Sequence, residues 1–242
     1  MRPHTSFLVC CNPRTGSWLL AEALEGTGIA GRPKEYFAPE CEQEWFERLG
    51  VSTYTDYLSK VIEAGTTPNG IFGAKVHWYQ FKDWSSKLRQ LPGSEEMTTP
   101  DLMSRLFPNL HYLWLTRSDK VRQAVSYLRA IQTGKWWKID GWEHIGNNTQ
   151  TFDFERIDRL QSLICANEAA WQEYFRECGV EPFIVTYEEL AEDYQTTIQR
   201  VLESLHLPLI PDIQIAKTRL KKQADSKSEE WVQRYYKMKE AR

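Results

Sequence analysis

The chain has 242 residues, 41% of them hydrophobic, and a formal net charge of −3 from 30 basic and 33 acidic side chains. This length predicts one domain over residues 1–242 with a substantial core, and the near balance of charge argues against a nucleic-acid-binding protein. No apolar run approaches the roughly 20 residues of a membrane span, and the start lacks the pattern of a signal peptide, so the sequence predicts a cytoplasmic protein without a membrane span.

Short apolar runs alternate with longer helical patterns along the chain. Four runs are predicted to be buried strands, because they are short and bounded by turn or polar residues: Phe7–Cys11, Ile71–Val76, His111–Leu115 and Phe183–Thr186. Apolar residues at helical spacing predict helices over Ser17–Glu25, Thr53–Ala64, Phe81–Gln90, Asp119–Thr133, Phe154–Cys178 and Glu188–Leu205. This order predicts an α/β fold with a central, mainly parallel sheet flanked by helices, which binds ligands at the carboxyl ends of its strands.

Four segments lie outside these elements. Leu91–Pro100 and Gly134–Thr149 are predicted to be irregular, and Ala38–Gly50 is predicted to be a loop that shapes a ligand pocket together with Gly134–Thr149. The C-terminal segment Lys221–Tyr236 predicts a basic loop followed by a packing helix.

Cysteine and tryptophan usage adds two expectations. The five cysteines are odd in number and show no paired metal-ligand spacing, so reduced thiols and no structural metal are predicted. Many of the 10 tryptophans are expected in the core, and any surplus can line a site for a flat or sugar-like ligand.

The first predicted strand runs into the turn Asn12–Ser17, and a helix follows directly. A strand, tight turn and helix start direct free backbone N–H groups at one point, which suits a phosphate. Gly16 allows close backbone approach, and Arg14 supplies a delocalised charge. Two explanations stay open from these residues: a phosphate site, or a turn in which a hydroxyl caps the helix.

Basic residues also lie at or after the ends of the second and third predicted strands. Arg117 comes directly after the third strand, and Ser126 lies about two turns into the next helix, so the pair could hold a second phosphate. A solvated basic helix face is the alternative. Lys75 and His77 lie at the end of the second strand, where alternation places both on one side of the chain.

The chain resembles the sulfotransferases that use 3′-phosphoadenosine-5′-phosphosulfate (PAPS), within them the bacterial trehalose 2-sulfotransferase type. The resemblance extends over nearly the whole chain and is strongest in these segments: PRTGS from Pro13, GRPKEYF from Gly31, PNGIFGAKVHW from Pro68, TRSDKVRQAVSYLRAIQTGKWW from Thr116 and QADSKSEEWVQRY from Gln223. It implies a P-loop-like three-layer fold with PAPS as donor co-substrate and no metal. Those relatives are dimers, although the sequence leaves the oligomeric state of this chain open.

The resemblance implies site residues on the donor side. The 5′-phosphate would be held by Arg14, Thr15, Gly16 and Ser17, and the 3′-phosphate by Arg117, Ser126 and Lys222. The gap from Arg117 to Ser126 is a residue longer than in animal cytosolic sulfotransferases. The turn also lacks the Lys of those relatives, so Arg14 or Lys75 would meet the charge on the bridging oxygen as a catalytic residue.

The resemblance also implies residues on the acceptor side. Glu35 would be the general base, because a hydroxyl must lose its proton as the sulfur–oxygen bond forms. Without the resemblance, Glu35 is equally explained as a surface carboxylate. His77 is a rival base or a hydrogen-bond partner of the acceptor, and Trp78 and Trp136 are candidate walls of the acceptor pocket or packing residues. The expected acceptor is a saccharide, glycolipid or related small molecule.

Two other functions compete with sulfuryl transfer. A small-molecule kinase could use the same turn, but the P-loop pattern GxxxxGK[ST] needs Lys after its last Gly, and here Ser17 follows Gly16. No obvious magnesium-binding Asp lies near Leu115. A nucleotide- or sugar-binding protein without catalysis would bind adenosine 3′,5′-bisphosphate (PAP) and sulfate no acceptor.

Overall fold

The computed structural model describes residues 2–136, 150–208 and 225–242. Within these ranges the sheet has four strands, all parallel, in the order β2-β1-β3-β4. The strands are β1 (Thr5–Cys11), β2 (Ile71–His77), β3 (Leu110–Thr116) and β4 (Phe183–Thr186). They contain every residue of the four predicted strands, and the predicted α/β fold with a parallel sheet is confirmed.

Helices cover both faces of this sheet. They are α1 (Ser17–Gly26), α2 (Pro39–Leu49), α3 (Tyr54–Gly65), α4 (Trp78–Leu88), α5 (Thr99–Leu106), α6 (Lys120–Thr133), α7 (Phe154–Cys178), α8 (Tyr187–Glu192), α9 (Tyr194–Ser204) and α10 (Ser226–Glu240). None of these helices is both long enough and apolar enough to cross a bilayer.

The alternation of side chains along β1 explains why helices pack on both faces of the sheet. Leu8 and Cys10 point into one buried cluster, with residues of α3, α4 and α7. Phe7 and Val9 point into a second cluster on the opposite face, with residues of α1 and α9. Because successive side chains leave a strand on opposite faces, a strand buried on both sides is apolar throughout.

Three sequence predictions are wrong in detail. The predicted loop Ala38–Gly50 contains α2, which begins with a proline at an N-terminal position and ends at Gly50 with a φ of 65°. The predicted helix Glu188–Leu205 is two helices, since Asp193 ends α8 and accepts a hydrogen bond from the Thr196 N–H at 3.2 Å. The predicted irregular segment Leu91–Pro100 includes the start of α5.

The end of the chain agrees with the predicted packing helix. Helix α10 places Trp231, Val232 and Tyr235 in a third buried cluster with side chains of α6 and α7. The basic part of the predicted tail, and most of the predicted irregular segment after Gly134, lie outside the described residues.

The segment between α1 and α2 passes very close to β2 at Gly31. Gly31 has a φ of +63°, and a Cβ there would lie 2.6 Å from the backbone nitrogen of Gly73. Gly28 has a similar φ of +71° with no atom within 4 Å of its Cβ position, so Gly28→Ala isolates the backbone cost. We expect Gly28→Ala to lower the free energy of unfolding by about 1–2 kcal/mol, the penalty for a left-handed residue.

Gly31→Ala carries the same backbone penalty and also forces two backbone segments apart. We expect Gly31→Ala to lower the free energy of unfolding by a further ~1–3 kcal/mol, the usual size of an overpacking penalty. Urea denaturation of both variants measures the difference. Equal destabilisation by the two substitutions would contradict the close approach at Gly31.

Candidate active site

Polar residues follow the carboxyl ends of three adjacent strands at one edge of the sheet. The last residue of β1, Cys11, is aligned with His77 on β2 and with Leu115 on β3. The turn Asn12–Ser17, His77 and Arg117 therefore lie near one another, as the parallel sheet predicts.

The turn after β1 has the backbone geometry of an anion site. Arg14 has a φ of 69° and Gly16 a φ of 80°, and α1 begins at Ser17 without a side-chain cap. Successive N–H groups in such a turn form a concave surface that favours negative charge. Thr15 is buried, and its hydroxyl donates to the Asn12 carbonyl at 2.9 Å, which stabilises the turn.

Arg14, Arg117 and Ser126 are brought together beside this turn. Arg14 Nε donates to the Ser126 hydroxyl at 3.0 Å, and Arg117 Nη1 donates to the Arg14 carbonyl at 3.3 Å. Burial, with the nearby Arg117 charge, lowers the pKa of Arg14 to about 10, so both guanidinium groups are charged at neutral pH. Arg117 is 6% exposed, and its Nε is buried with no acceptor among the described residues. This arrangement suits an anionic ligand.

Helices α6 and α7 hold these groups in place. Gln123, which is fully buried, donates to the Pro13 carbonyl at 2.8 Å. Lys120 donates to the Arg117 carbonyl and forms an ion pair with Glu168 at 2.7 Å. The turn and the end of β3 are therefore fixed to the same pair of helices.

Glu35 is placed by the backbone. The segment before α2 forms a parallel bridge with β2 between Lys34 and Ala74, and the Lys75 N–H donates to the Lys34 carbonyl at 3.0 Å. This pairing sets the Glu35 side chain beside Lys75, with 2.6 Å between Glu35 Oε1 and Lys75 Nζ. His77 Nε2 lies 3.7 Å from the same oxygen.

The charges around Glu35 determine its protonation state. Burial alone would raise the pKa of Glu35, but Lys75, His77 and a hydrogen bond from Gln80 outweigh it and lower the pKa to about 2. The Lys75 side chain is fully buried, and its ammonium lies 4.0 Å from the centre of the Trp18 ring. Glu35 and Lys75 therefore form a close ion pair at neutral pH.

His77 is neutral at neutral pH, because burial lowers the pKa of its imidazole below the usual range. Its Nδ1 lies 3.4 Å from the Cys11 sulfur. Burial raises the pKa of the Cys11 thiol to about 12, so Cys11 carries a proton. The same Nδ1 lies 3.4 Å from the Cys11 carbonyl oxygen, and the Cys11 thiol donates to the Val76 carbonyl at 3.7 Å. The other ring nitrogen, Nε2, is the one that faces Glu35.

Sequence reasoning missed three residues beside Glu35. Gln80 is fully buried, its Nε2 donates to Glu35 Oε2 at 3.0 Å and to the Tyr79 hydroxyl at 3.1 Å, and its Oε1 accepts from the His77 N–H at 2.9 Å. The Tyr79 hydroxyl donates to Glu40. The spacing from His77 to Gln80 is that of a capping box, which could have identified the amide.

The remaining predicted residues are placed as follows. Trp136 is 39% exposed, and its carbonyl accepts a hydrogen bond from Arg14 Nη1. Trp78 packs edge-on against Trp171, with 4.9 Å between ring centres. Their roles in acceptor binding stay predictions. Lys222 lies outside the described residues.

Comparison with known proteins identifies related sulfotransferases. The Stf0 sulphotransferase family model matches residues 6–238. Trehalose 2-sulfotransferase of Mycolicibacterium smegmatis is 31% identical over 260 residues, which cover 96% of this chain and 94% of that protein. Trehalose 2-sulfotransferase of Mycobacterium tuberculosis is 29% identical over 262 residues, with 95% and 93% coverage.

Solved structures are similar in fold. The sulfotransferase domain of the Synechococcus olefin synthase gives a TM-score of 0.52 at 15% identity, covering 95% of this chain and 83% of that one. A sulfotransferase from Alicyclobacillus acidocaldarius gives 0.52 at 15% identity, covering 98% and 92%. At this identity the likeness concerns the fold, and it confirms the P-loop-like architecture.

Proposed function

The chain belongs to the Stf0 sulphotransferase family, and on this premise we propose that it moves a sulfuryl group from PAPS to a hydroxyl of a saccharide, glycolipid or related small molecule, with Glu35 as general base. The observation that carries the proposal is the ionised Glu35 beside Lys75, at the edge of the sheet that also bears the anion-binding turn. The saccharide acceptor is supported by the names of the two trehalose 2-sulfotransferases.

The donor side of the site fits a ligand with two phosphates. We assign the 5′-phosphate to the backbone N–H groups of the turn, including those of Thr15 and Gly16, and to the side chains of Arg14 and Ser17. We assign the 3′-phosphate to Arg117 and Ser126, with Lys222 as a further candidate. The buried Arg117 Nε without an acceptor among the described residues supports this fit. When bound, PAPS supplies an activated sulfuryl group attached to a phosphate leaving group.

Glu35 accepts the proton of the acceptor hydroxyl in this proposal. Its carboxylate is ionised at any pH well above 2, so it is ready to accept, but a pKa of about 2 makes it a weak base. Movement of Lys75 would make Glu35 a stronger base. When the Lys75 ammonium turns to negative charge on the donor side, it stabilises the Glu35 carboxylate less, and the pKa of Glu35 rises towards the range of an effective base.

Lys75 and His77 have separate roles. The buried Lys75 charge stabilises the negative charge that develops on the departing phosphate, with Arg14 as a second contributor. The neutral His77 contacts Glu35 or an acceptor hydroxyl through Nε2. A homodimer and a cytoplasmic location stay predictions.

A transfer assay tests the proposed function. The protein is incubated with PAPS labelled with radioactive sulfur and with trehalose, glucose and a glycolipid, and the labelled products are identified by mass spectrometry. We expect a gain of one sulfonate group on at least one of these acceptors. Absence of transfer together with absence of PAP binding in calorimetry would refute the proposal.

Arg117→Ala is expected to weaken PAP binding by about 10- to 100-fold, the effect of losing a hydrogen bond to a charged group. Arg117 is buried, so thermal denaturation must first show that the variant is folded. Arg200→Ala is the matched control, because Arg200 is about half exposed on α9. Calorimetry with PAP measures both variants, and unchanged affinity of Arg117→Ala would remove Arg117 from the donor site.

A further inference from the structure

Hydrogen bonds through Gln80 join Glu35 to Tyr79 and Glu40. Resting on the saccharide acceptor of the proposed function, we propose that Tyr79 and Glu40 form a subsite that binds hydroxyls beside the one that reacts and so determines which acceptors are used. Neither residue is part of the anion-binding turn or of the Arg117 site.

Tyr79 supplies an exposed aromatic face. It is the second residue of α4 and is 42% exposed. Its ring is stacked with the His77 imidazole, with 6.1 Å between ring centres and 18° between planes. Because His77 also contacts Glu35, this stacking fixes the Tyr79 ring next to the proposed base. An accessible aromatic face so placed can cover the C–H face of a sugar ring.

Glu40 supplies hydrogen-bond acceptors for hydroxyl groups. It lies in the first turn of α2 and is exposed, and it accepts a hydrogen bond from the Tyr79 hydroxyl. A carboxylate has about four lone-pair positions, so one bond from Tyr79 leaves capacity for hydroxyls of a ligand. Bonds to an ionised acceptor are stronger than neutral ones, and hydroxyl groups are the donors that an uncharged sugar offers.

Gln80 joins this subsite to the base. Its buried amide donates one N–H to Glu35 Oε2 at 3.0 Å and one to the Tyr79 hydroxyl at 3.1 Å. Glu35, Gln80, Tyr79 and Glu40 therefore form one row of side chains, each hydrogen-bonded to the next. A ring that places one hydroxyl at Glu35 would bring a neighbouring hydroxyl towards Tyr79 and Glu40.

This row favours one class of acceptor over others. A phenol or a simple alkyl alcohol has a single hydroxyl, which Glu35 would use, so Glu40 would gain no hydrogen bond from it. Sites built to hydrogen-bond a hydroxyl discriminate strongly against analogues that lack it. We therefore expect saccharides to be used in preference to p-nitrophenol and to octanol.

The test separates acceptor binding from donor binding. Tyr79→Ala, Tyr79→Phe and Glu40→Gln are compared with wild type for kcat and KM with trehalose at saturating PAPS, and for PAP affinity by calorimetry. Tyr236→Ala is a control because Tyr236 is 44% exposed on α10, and Glu44→Gln is a control because Glu44 is exposed on α2.

We expect Glu40→Gln to raise the KM for trehalose by about 10-fold or more. Tyr79→Ala should raise it by roughly 3- to 10-fold, and Tyr79→Phe, which keeps the ring, by less. PAP affinity should be unchanged in all three variants, and both controls should match wild type. A KM unchanged in Glu40→Gln and Tyr79→Ala, or an equal loss of PAP affinity, would overturn the subsite.

Assays of the wild-type protein separate a failure of the saccharide subsite from a failure of the proposed function. Binding of PAP with preferential sulfation of p-nitrophenol or octanol, or with no sulfation of trehalose, maltose or glucose, would overturn the saccharide subsite and leave the donor site standing. Failure to bind PAP would overturn the proposed function itself.

Discussion

Glu35→Gln is expected to reduce kcat by about 10²–10⁴, the usual contribution of a positioned general base. The amide has nearly the same shape as the carboxylate but cannot accept the proton of the hydroxyl. PAP affinity should stay within a few-fold of wild type, because Glu35 does not belong to the groups assigned to the donor. Steady-state kinetics with labelled PAPS and calorimetry with PAP measure the two quantities.

Folding must be checked in this variant, since the substitution leaves the buried Lys75 ammonium without its ion pair. Breaking a fully buried pair costs about 3–5 kcal/mol, and the cost here should be smaller because the Glu35 side chain is 20% exposed. Glu35→Asp keeps the charge on a shorter side chain and should give an intermediate kcat. Near-normal turnover of a folded Glu35→Gln protein would mean that another group, with His77 the first candidate, is the base.

Lys75→Met is expected to lower kcat by about 10²–10³, the effect of removing one preorganised group that stabilises the transition state. It should also change the pH profile. Lys75 is the strongest of the groups that lower the pKa of Glu35, and without it that pKa rises from about 2 towards its ordinary range. An acidic limb of kcat/KM for PAPS, which reports the free enzyme, should therefore appear in the measurable range, where the wild type shows none from Glu35.

Two measurements control this result. Lys60→Met should leave kcat and its pH profile unchanged, because Lys60 is a half-exposed residue of α3. The free energy of unfolding of the wild type should fall as the pH drops from 4.5 towards 2, because a carboxyl whose folded pKa is depressed stabilises only while ionised. Lys75→Met should reduce this dependence without abolishing it, because ion pairs also lower the pKa of Asp225, Asp158 and Glu229. An unchanged pH profile in Lys75→Met would show that Lys75 does not control Glu35.

The sequence predicts the sheet well because its strands are apolar on both faces. Val9, in β1, is typical, since it is buried and lies in a run without polar residues. Helix α7 has the predicted bounds Phe154–Cys178, because its periodicity is long and Gly179 ends it with a left-handed φ. Such local signals need no knowledge of the rest of the chain.

Two helix boundaries were harder to predict. Helix α2 is rich in glutamate and has no fully buried residue, and its Trp45, Phe46 and Leu49 are only partly buried against the core. Pro39 and Gly50 mark its ends. The break between α8 and α9 depends on the side chain of Asp193, which caps the second helix. A hydrophobic pattern that continues past such a cap does not reveal it.

The residue types of the candidate site could be read from the sequence, but their geometry could not. The turn after β1 and Arg117 follow strands, so the topology alone places them together. The ion pair of Glu35 with Lys75 depends on the bridge between Lys34 and Ala74, a contact distant in sequence that leaves no local signal. Gln80 was missed because its capping box begins with His77 in place of the usual Ser or Thr.

The bridge between Lys34 and Ala74 has a consequence for how such enzymes can diversify. Surface connections usually tolerate insertions and deletions. Here a change of one residue between Gly31 and Glu35 would shift the pairing and set a neighbouring side chain beside Lys75 in place of the carboxylate. Changes of length after Pro39 leave this bridge in register, so the proposed acceptor side can vary while the proposed base keeps its place beside Lys75.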